Sequence, residues 1–369
     1  MILVNCDIYH FIKLSKNKKV ICFGAGQGLK NFIASYPELK LDKLIYKICD
    51  NSNQKIGTNF IYGESAIPII GINELCQLKD VIIVISCLAT VEVYEQLEQC
   101  MQLKDTYCLV TRYILSETNL VKEKNRKYPQ KYKLTQEELI PKKIHYCWFG
   151  KNPIPEQNRK WMESWRKFCP DYEIIEWNED NYDITKNQYM YEAYKAKKWG
   201  FVPDYARLDI IYEHGGIYLD TDVEIVKNID ELLYQSAFAG VDSSHLVSLG
   251  LGFGAEKGNE FIRYLRDAYD NQYFVTKDGE LNMIAAPTLQ KEIFEAVGYE
   301  SSGDYQIVKG MTIYPEKVLA PKCTITGRIM PTEHTFSIHH YDASWTSIEH
   351  RKIKEKDISF FNKYINNQK

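Results

Sequence analysis

The chain places two closely spaced carboxylates in the stretch Gly215-Gly216-Ile217-Tyr218-Leu219-Asp220-Thr221-Asp222-Val223-Glu224. Its alternation predicts a β-strand in which Tyr218, Asp220 and Asp222 share one face and their mostly apolar neighbours share the other. Residues two apart in a strand are separated by roughly 6.5 Å, so both aspartates can contact one hard cation. The pattern predicts a metal site on a sheet; a half-buried strand with a solvated acidic face is the alternative.

The residues just before this stretch predict a helix over 203–214 that ends at Gly215. Asp204 lies in its first turn, where the helix dipole favours an acid, and Arg207 follows one turn later on the same face. Such a pair is usually a surface ion pair worth at most about 1 kcal/mol. Because the helix leads directly into the acidic strand, the other interpretation is that both side chains belong to the same site.

A second set of candidate ligands lies near the C-terminus, in Phe336-Ser337-Ile338-His339-His340-Tyr341-Asp342-Ala343-Ser344-Trp345. Neutral imidazole is a common metal ligand, and a serine hydroxyl or an indole N–H can bond a phosphate. For either histidine taken alone, the alternative is a buried, hydrogen-bonded side chain in a strand. His145, farther upstream, is assigned to structure.

Size and charge restrict the class of protein. A chain of 369 residues is long enough for two domains. A formal net charge of -3 gives no electrostatic basis for binding nucleic acid. No apolar stretch approaches the roughly 20 residues that span a bilayer, and the start lacks the pattern of a signal peptide. The ten cysteines contain no CxxC pair, so reduced thiols and a cytoplasmic location are expected.

The N-terminal part alternates between strand and helix patterns. Short apolar runs occur at 20–23, 44–49, 81–86 and 107–110, with helical periodicity between them. This order is typical of a parallel α/β sheet. The first run opens into Gly24-Ala25-Gly26-Gln27-Gly28, and Asp50 ends the second. A dinucleotide site is one interpretation, but Leu29 stands where that fingerprint expects glycine, so a structural Rossmann-like domain is the other.

The polar segment 116–139 has no clear apolar period and is interpreted as a linker. The strand pattern restarts at Ile140. The sequence therefore predicts an α/β protein with a Rossmann-like accessory domain at 1–115, the linker at 116–139 and a second domain at 140–369.

Three ordered blocks resemble a known family. Ile140-Pro141-Lys142-Lys143-Ile144-His145-Tyr146-Cys147-Trp148-Phe149-Gly150 is similar to the opening of bacterial family 32 glycosyltransferases of the capsular polysaccharide type. Val202-Pro203-Asp204-Tyr205-Ala206-Arg207-Leu208-Asp209, followed by Gly215-Gly216-Ile217-Tyr218-Leu219-Asp220-Thr221-Asp222, resembles that family's DXD block. Glucosylating clostridial toxins and yeast mannosyltransferases share the layout more distantly. The resemblance covers roughly 140–348 and implies a GT-A fold that uses Mn²⁺ or Mg²⁺ and a nucleotide sugar.

The resemblance also implies roles for individual residues. Trp148 would stack on the nucleobase, Asp204 and Arg207 would hold hydroxyls of the donor sugar, and Tyr218 would line the same pocket. Asp220 and Asp222 would bind the metal and the diphosphate through it. His340 or its neighbour His339 would complete the coordination, in place of the acid that the toxins use. Ser344 and Trp345 would reach the diphosphate from a closing loop.

The expected activity is transfer of a hexose or N-acetylhexosamine, with a UDP-sugar as the expected donor, to a saccharide acceptor in capsule or surface polysaccharide synthesis. Retention of the anomeric configuration is expected from the resemblance. A lipid-linked acceptor would require peripheral association at the inner face of the membrane. The alternative function is nucleotide-sugar binding or oxidoreduction by the N-terminal domain. A non-catalytic binding protein is disfavoured because Asp204, Arg207, Asp220 and Asp222 are all present.

Overall fold

The computed structural model describes residues 1–342 and 348–365, which form two compact units. The first unit contains residues 1–125, 325–327 and the chain from 348 onwards, and the second contains 126–324 and 328–347. The strands of the first unit are β1 (Ile2–Leu3), β2 (Lys19–Phe23), β3 (Ile45–Cys49), β4 (Asn59–Tyr62), β5 (Ser65–Ile70), β6 (Val81–Ile85) and β7 (Tyr107–Val110). Its helices before residue 125 are α1 (Ile8–Leu14), α2 (Gln27–Ala34), α3 (Leu41–Leu44), α4 (Ile72–Leu75), α5 (Thr90–Glu98) and α6 (Thr111–Glu123).

These strands form one sheet in the order β1-β7-β6-β2-β3-β5-β4. Neighbouring strands are parallel except for β4 and β5, which form an antiparallel hairpin at one edge. The α/β class and the parallel core of the sheet are thus as predicted. The hairpin was not predicted, because Gly63 and Pro68 interrupt its alternation. Strand β6 lies inside the sheet between β7 and β2 with every residue buried, which explains its unbroken apolar run.

The strands of the second unit are β8 (Lys143–Cys147), β9 (Glu173–Trp177), β10 (Gly216–Tyr218), β11 (Val223–Ile225), β12 (Ala237–Val241), β13 (Val247–Ala255), β14 (Gln306–Val308), β15 (Met311–Tyr314) and β16 (Ser337–His339). Its helices are α7 (Glu156–Phe168), α8 (Gln188–Lys195), α9 (Pro203–His214), α10 (Glu260–Asp267), α11 (Ala286–Ala296) and α12 (Glu316–Leu319). A mixed sheet has the order β14-β15-β12-β13-β10-β8-β9, and β11 pairs separately with β16. This mixed α/β architecture is consistent with the GT-A arrangement that the resemblance implies.

Helix α9 has the predicted bounds, and two glycines connect it to β10. Gly215 has a φ of 63° and Gly216 a φ of 109°, conformations that residues with a side chain rarely adopt. A Cβ on Gly216 would also lie 2.9 Å from Nε2 of His145. The two glycines therefore allow the chain to turn sharply from the helix into the sheet, directly before the two aspartates.

The last described helix is α13 (Ile348–Ile365), which belongs to the first unit. The sequence analysis had placed these residues in the second domain. Asp357 pairs with Arg112 at 3.1 Å, and Phe361 packs edge-on against Tyr113 with ring centroids 4.7 Å apart. The predicted linker at 116–139 also differs from the structure, because residues 116–123 belong to α6. Aromatic side chains on α13 that had no partner in the local sequence are buried here by a distant part of the chain.

Cys76 and Cys100 form a disulfide within the first unit, whereas the sequence analysis expected reduced cysteines. The two residues are 24 apart in sequence, and no short spacing motif marks them as a pair. Their Cα atoms lie 6.1 Å apart, which is within the usual range for a disulfide. The pairing is set by the packing of the segments after α4 and α5, which the sequence pattern alone does not give.

Breaking this disulfide is expected to destabilise the first unit. Cys76→Ser should lower its free energy of unfolding by about 2–4 kcal/mol, because the closed loop is of intermediate length. Hydrogen exchange of the β6 amides measures this, and dithiothreitol should accelerate exchange in the wild type but not further in the variant. Equal exchange of the wild type with and without dithiothreitol would contradict the prediction.

Candidate metal and donor site

The two aspartates lie in a turn and not in a continuous strand. Strand β10 ends at Tyr218, and the residues Asp220–Asp222, here called the DTD turn, connect it to β11. The amide of Val223 donates to the carbonyl of Asp220 at 3.1 Å and closes the turn. The predicted strand was therefore wrong over these residues. The turn, rather than strand alternation, brings the two carboxylates to one point.

Asp220, Asp222 and His339 form a cluster whose ligand atoms all lie within 4.8 Å of one another. The Nε2 atom of His339 is 3.2 Å from Oδ1 of Asp222. Asp222 also accepts a hydrogen bond of 2.8 Å from the amide of Asp342. Two carboxylates and an imidazole at this spacing fit a divalent cation of the Mn²⁺ type, for which oxygen and nitrogen ligands are both suitable.

The structure separates the two histidines that the sequence offered as third ligand. Strand β16 pairs with β11 so that His339 lies opposite Val223, next to the DTD turn. His340 is not part of the cluster: its Nε2 lies 2.9 Å from Oε2 of Glu224, and its ring stacks on Trp161. Consecutive residues at the end of a strand point to opposite sides, so only one of the two can face the carboxylates. Of the two histidines, His339 is therefore the candidate third ligand, and the interpretation of His340 as a ligand is dropped.

The environment shifts the pKa values of Asp220 and Asp222 in opposite directions. Burial raises the pKa of Asp220, with the charge of Asp222 adding to the effect and Arg207 opposing it. Burial would also raise the pKa of Asp222, but the charge and hydrogen bond of His339, together with the Asp342 amide, hold it at about 2. The pKa of His339 is raised because Asp222 outweighs the effect of burial. Asp222 is thus an ionised carboxylate ready for a cation.

Arg207 is the centre of a buried charge network. Its Nη2 lies 3.1 Å from Oδ1 of Asp204 and 3.7 Å from Oδ1 of Asp220. Its Nε donates to the carbonyl of Pro203 at 3.1 Å, and its guanidinium lies 5.0 Å from the ring centroid of Tyr218. Arg207 and Asp204 are 6% and 4% exposed, so this is not the surface ion pair that was the alternative interpretation. The helix therefore does contribute its charged pair to the site.

Burial raises the pKa of Asp204 to about 7, although the charge of Arg207 opposes the shift. The hydroxyl of Tyr189 on α8 also donates to its Oδ2 at 3.4 Å. Tyr218 is 1% exposed and packs into the core of the unit while its ring lies against Arg207. Asp204 and Tyr218 thus both contact Arg207. The resemblance to the family had also placed both in one pocket.

Gly250 on β13 is a residue of the site that sequence reasoning missed. A Cβ at this position would lie 2.3 Å from Oδ2 of Asp220 and 3.0 Å from Nη1 of Arg207. The amide of Asp220 also lies 3.4 Å from the carbonyl of Gly250. The signal that could have found it is the alternation Gly250, Gly252, Gly254 in a strand, which indicates close approach on one face.

Helix α7 also contacts the DTD turn and the strand that follows it. Nδ2 of Asn158 donates to Oγ1 of Thr221 at 3.0 Å, and the indole Nε1 of Trp165 donates to the carbonyl of Val223 at 2.8 Å. The hydroxyl of Ser164 accepts from the amide of Ile225 at 2.8 Å. These contacts were not predicted, since the helical pattern of α7 shows only which residues share a face.

Three further residues were predicted to contact the donor. Trp148 follows β8, is half-buried and donates from its indole to the carbonyl of Asn152 at 2.5 Å. Ser344 and Trp345 lie outside the described residues. In the first unit, Asp50 accepts from the amides of Ala25 and Ser52 at 2.8 and 2.9 Å and thereby holds the glycine loop itself.

His145 has the structural role that the sequence analysis assigned to it. It is fully buried, its Nδ1 accepts from the indole of Trp177 at 3.0 Å, and its Nε2 lies 2.9 Å from the carbonyl of Gly215. These partners fix the neutral tautomer with the proton on Nε2. Burial lowers its pKa to about 4, against the effect of the Gly215 carbonyl.

The low pKa of His145 predicts a pH-dependent stability of the second unit. An unfolded histidine titrates near pH 6.5, so the unfolded state takes up the proton first as the pH falls. Stability should therefore be lost progressively between about pH 6.5 and 4. His145→Gln should flatten this part of the profile. Urea denaturation followed by tryptophan fluorescence measures it, because all 6 tryptophans fall at 148 or beyond. The exposed His10→Gln is the control, and parallel wild-type and His145→Gln profiles would contradict the prediction.

Gly250→Ala is expected to disturb the site while leaving the fold intact. The new methyl group would displace the carboxylate of Asp220, a movable side chain, and not the backbone. Mn²⁺ affinity measured by calorimetry should fall by roughly tenfold or more, an effect typical of displaced metal ligands. Ser248→Ala, on the same strand, is the matched control. Unchanged Mn²⁺ affinity in Gly250→Ala would show that Gly250 does not shape the site.

The chain is similar to known glycosyltransferases over part of its length. Residues 155–239 match the family model described as "Glycosyltransferase sugar-binding region containing DXD motif". Over 139 residues, the chain is 33% identical to "Inositol phosphoceramide mannosyltransferase 3" of Schizosaccharomyces pombe, covering 34% of this chain and 36% of that protein. It is 26% identical over 174 residues to "Subversion of eukaryotic traffic protein A" of Legionella pneumophila, covering 37% of this chain and 26% of that protein. The chain thus spans only about a third of the length of these curated relatives.

Two solved structures are also similar. "PaToxG Glycosyltransferase" shows 17% identity and a TM-score of 0.34, with 45% of this chain and 73% of that chain covered. A glycosyltransferase involved in glycosylation of the major capsid of PBCV-1 shows 12% identity and the same TM-score of 0.34, with 58% and 98% covered. The family-model match at 155–239 includes α7, α9 and the DTD turn.

Proposed function

We propose that this protein is a metal-dependent glycosyltransferase. It transfers a hexose or N-acetylhexosamine from a nucleotide sugar, expected to be UDP-linked, to a saccharide or lipid-linked saccharide acceptor. The observation that carries the proposal is the cluster of Asp220, Asp222 and His339, whose two aspartates lie within the segment 155–239 that matches a DXD sugar-binding region. A carboxylate pair alone would support many functions, but its combination with the buried Asp204–Arg207 pair is specific.

Asp220, Asp222 and His339 would hold Mn²⁺ or Mg²⁺. A bound divalent cation would supply Lewis-acid stabilisation of the negative charge that develops on the leaving diphosphate. In the present state, Nδ1 of His339 accepts from the amide of Tyr341 at 3.2 Å, so Nε2 carries the proton toward Asp222. Coordination through Nε2 requires the proton of the neutral ring to lie on Nδ1 instead, and Nδ1 would then no longer accept from the Tyr341 amide.

Arg207 would hold the donor sugar together with Asp204. Its Nε and Nη2 groups are used within the protein, whereas Nη1 forms no hydrogen bond with any described residue and faces the side-chain-free surface of Gly250. A sugar hydroxyl is a suitable acceptor for this N–H. In the same proposal, Trp148 stacks on the nucleobase, and Ser344 and Trp345 reach the diphosphate from the segment after His340.

The identities of donor and acceptor are the finer part of the proposal. Relatives named as mannosyltransferases support transfer of a hexose, and their inositol phosphoceramide acceptors support an acceptor that carries a lipid. None of the described helices is long and apolar enough to span a bilayer. For a lipid-linked acceptor, the proposal includes peripheral association at the inner face of the membrane. Retention, a cytoplasmic location and a capsular or surface polysaccharide product complete the proposal.

The proposal is tested with Asp220→Asn and Asp222→Asn. A panel of UDP- and GDP-sugars with Mn²⁺ is incubated without acceptor, and release of the nucleoside diphosphate is measured. The wild type should release it from at least one donor, and each variant should do so at least roughly 100-fold more slowly.

Asp180→Asn, an exposed aspartate with 81% side-chain exposure, is the matched control and should behave like the wild type. A chelator should abolish release by the wild type, and Mn²⁺ should restore it. Full activity of Asp220→Asn, or activity that is independent of a divalent cation, would refute the proposed function.

A further inference from the structure

We infer that Trp161 and Asn158 on helix α7 are positioning residues that set the geometry of the metal site from outside its ligand set. This inference rests on the proposed function, because it assumes that Asp220, Asp222 and His339 bind a cation. Neither residue is among the three clustered ligands. Both contact residues that are adjacent to those ligands in the chain, and this adjacency carries the inference.

Asn158, Trp161 and Trp165 form one stripe along α7, at spacings of three and then four residues. The stripe faces the DTD turn, the start of β11 and the residue that follows β16. Asn158 bonds the Thr221 hydroxyl in the DTD turn, and Trp165 bonds the first carbonyl of β11. One rigid helix therefore holds the turn at its middle residue and at its exit.

Trp161 contacts His340, the residue that directly follows β16. The two rings stack with centroids 4.1 Å apart and an interplanar angle of 8°. His340 is further fixed by Glu224, 2.9 Å from its Nε2, and its amide donates to the carbonyl of Asp222 at 2.9 Å. His340 directly follows the ligand His339. Its stacked ring therefore fixes the end of β16, and its amide ties that end to the backbone of a second ligand.

The chemistry of the site explains why the ligands need these contacts from α7, here called the α7 clamp (Asn158, Trp161 and Trp165). Asp220 and Asp222 repel each other when both are ionised, and a turn of three residues has little secondary structure to resist that repulsion. Partners beyond the ligands commonly orient them, and losing one typically lowers metal affinity by about 10–100-fold. The stripe on α7 supplies partners of this kind to both sides of the cluster.

The carbonyl oxygen Oδ1 of Asn158 adds to this picture. It is buried and has no hydrogen-bond partner among the described residues. A buried acceptor without a partner is unfavourable, and Asn158 is only 3% exposed. The side-chain amide thus bonds Thr221 through Nδ2 while its Oδ1 stays without a partner among the described residues. An unsatisfied buried group of this kind is often found at a functional site.

The test measures Mn²⁺ affinity by calorimetry on the full chain, with Mn²⁺ alone as the probe. Trp161→Ala and Asn158→Ala should each weaken binding by roughly tenfold or more, while the melting temperature in chelator changes little for the half-buried Trp161. Trp161→Phe, which keeps a ring to stack on His340, should restore most of the affinity. Lys160→Ala, on the exposed side of the same helix, should bind as the wild type does.

The outcomes separate the two claims. If wild-type protein binds no Mn²⁺, the proposed metal site itself fails, and this inference fails with it. If the wild type binds Mn²⁺ and both Trp161→Ala and Asn158→Ala bind it equally well, the inference alone is overturned. Should Trp161→Ala not fold, Asn158→Ala and Trp161→Phe decide the matter, because equal affinity in Asn158→Ala and the wild type contradicts the clamp.

Discussion

Three carboxylates lie close together, those of the buried Asp204 and Asp222 and of the half-buried Asp220, and two cationic or ionisable groups balance them. Arg207 contacts Asp204 and Asp220, while His339 contacts Asp222. Without these partners, burial of several like charges would be strongly unfavourable. Several elements of the second unit contribute to this arrangement: α9 carries Arg207, β16 carries His339, and β13 leaves room for Asp220 and Arg207 at Gly250.

The same charge balance explains how the site could serve sugar transfer. Asp222 is held ionised by His339 and a backbone amide, whereas burial raises the pKa of Asp220. Two neighbouring carboxylates with opposite shifts are common where a protein manages charge for chemistry. In the proposed enzyme, a cation would relieve the repulsion between them, so binding of the donor with its cation would stabilise the site that receives it.

The sequence predicted the local features well and the long-range ones poorly. Helix α9, the parallel strands of the first unit and the two aspartates follow from periodicity, capping and residue type. The DTD turn was mistaken for a strand because alternation of side chains is also compatible with a short strand that ends in a turn. The choice between His339 and His340, the space left by Gly250 and the contacts of Asn158 and Trp161 depend on which strands and helices meet. No local pattern encodes this.

The most direct test of the account is to locate the cation. Crystals grown with MnCl₂ and a nucleoside diphosphate would give an anomalous difference map at the manganese edge. The account predicts one strong peak bound by the carboxylates of Asp220 and Asp222 and by the imidazole of His339, with the diphosphate on its open side. A peak bound by other residues, or a nucleoside diphosphate bound without any peak at the DTD turn, would contradict it.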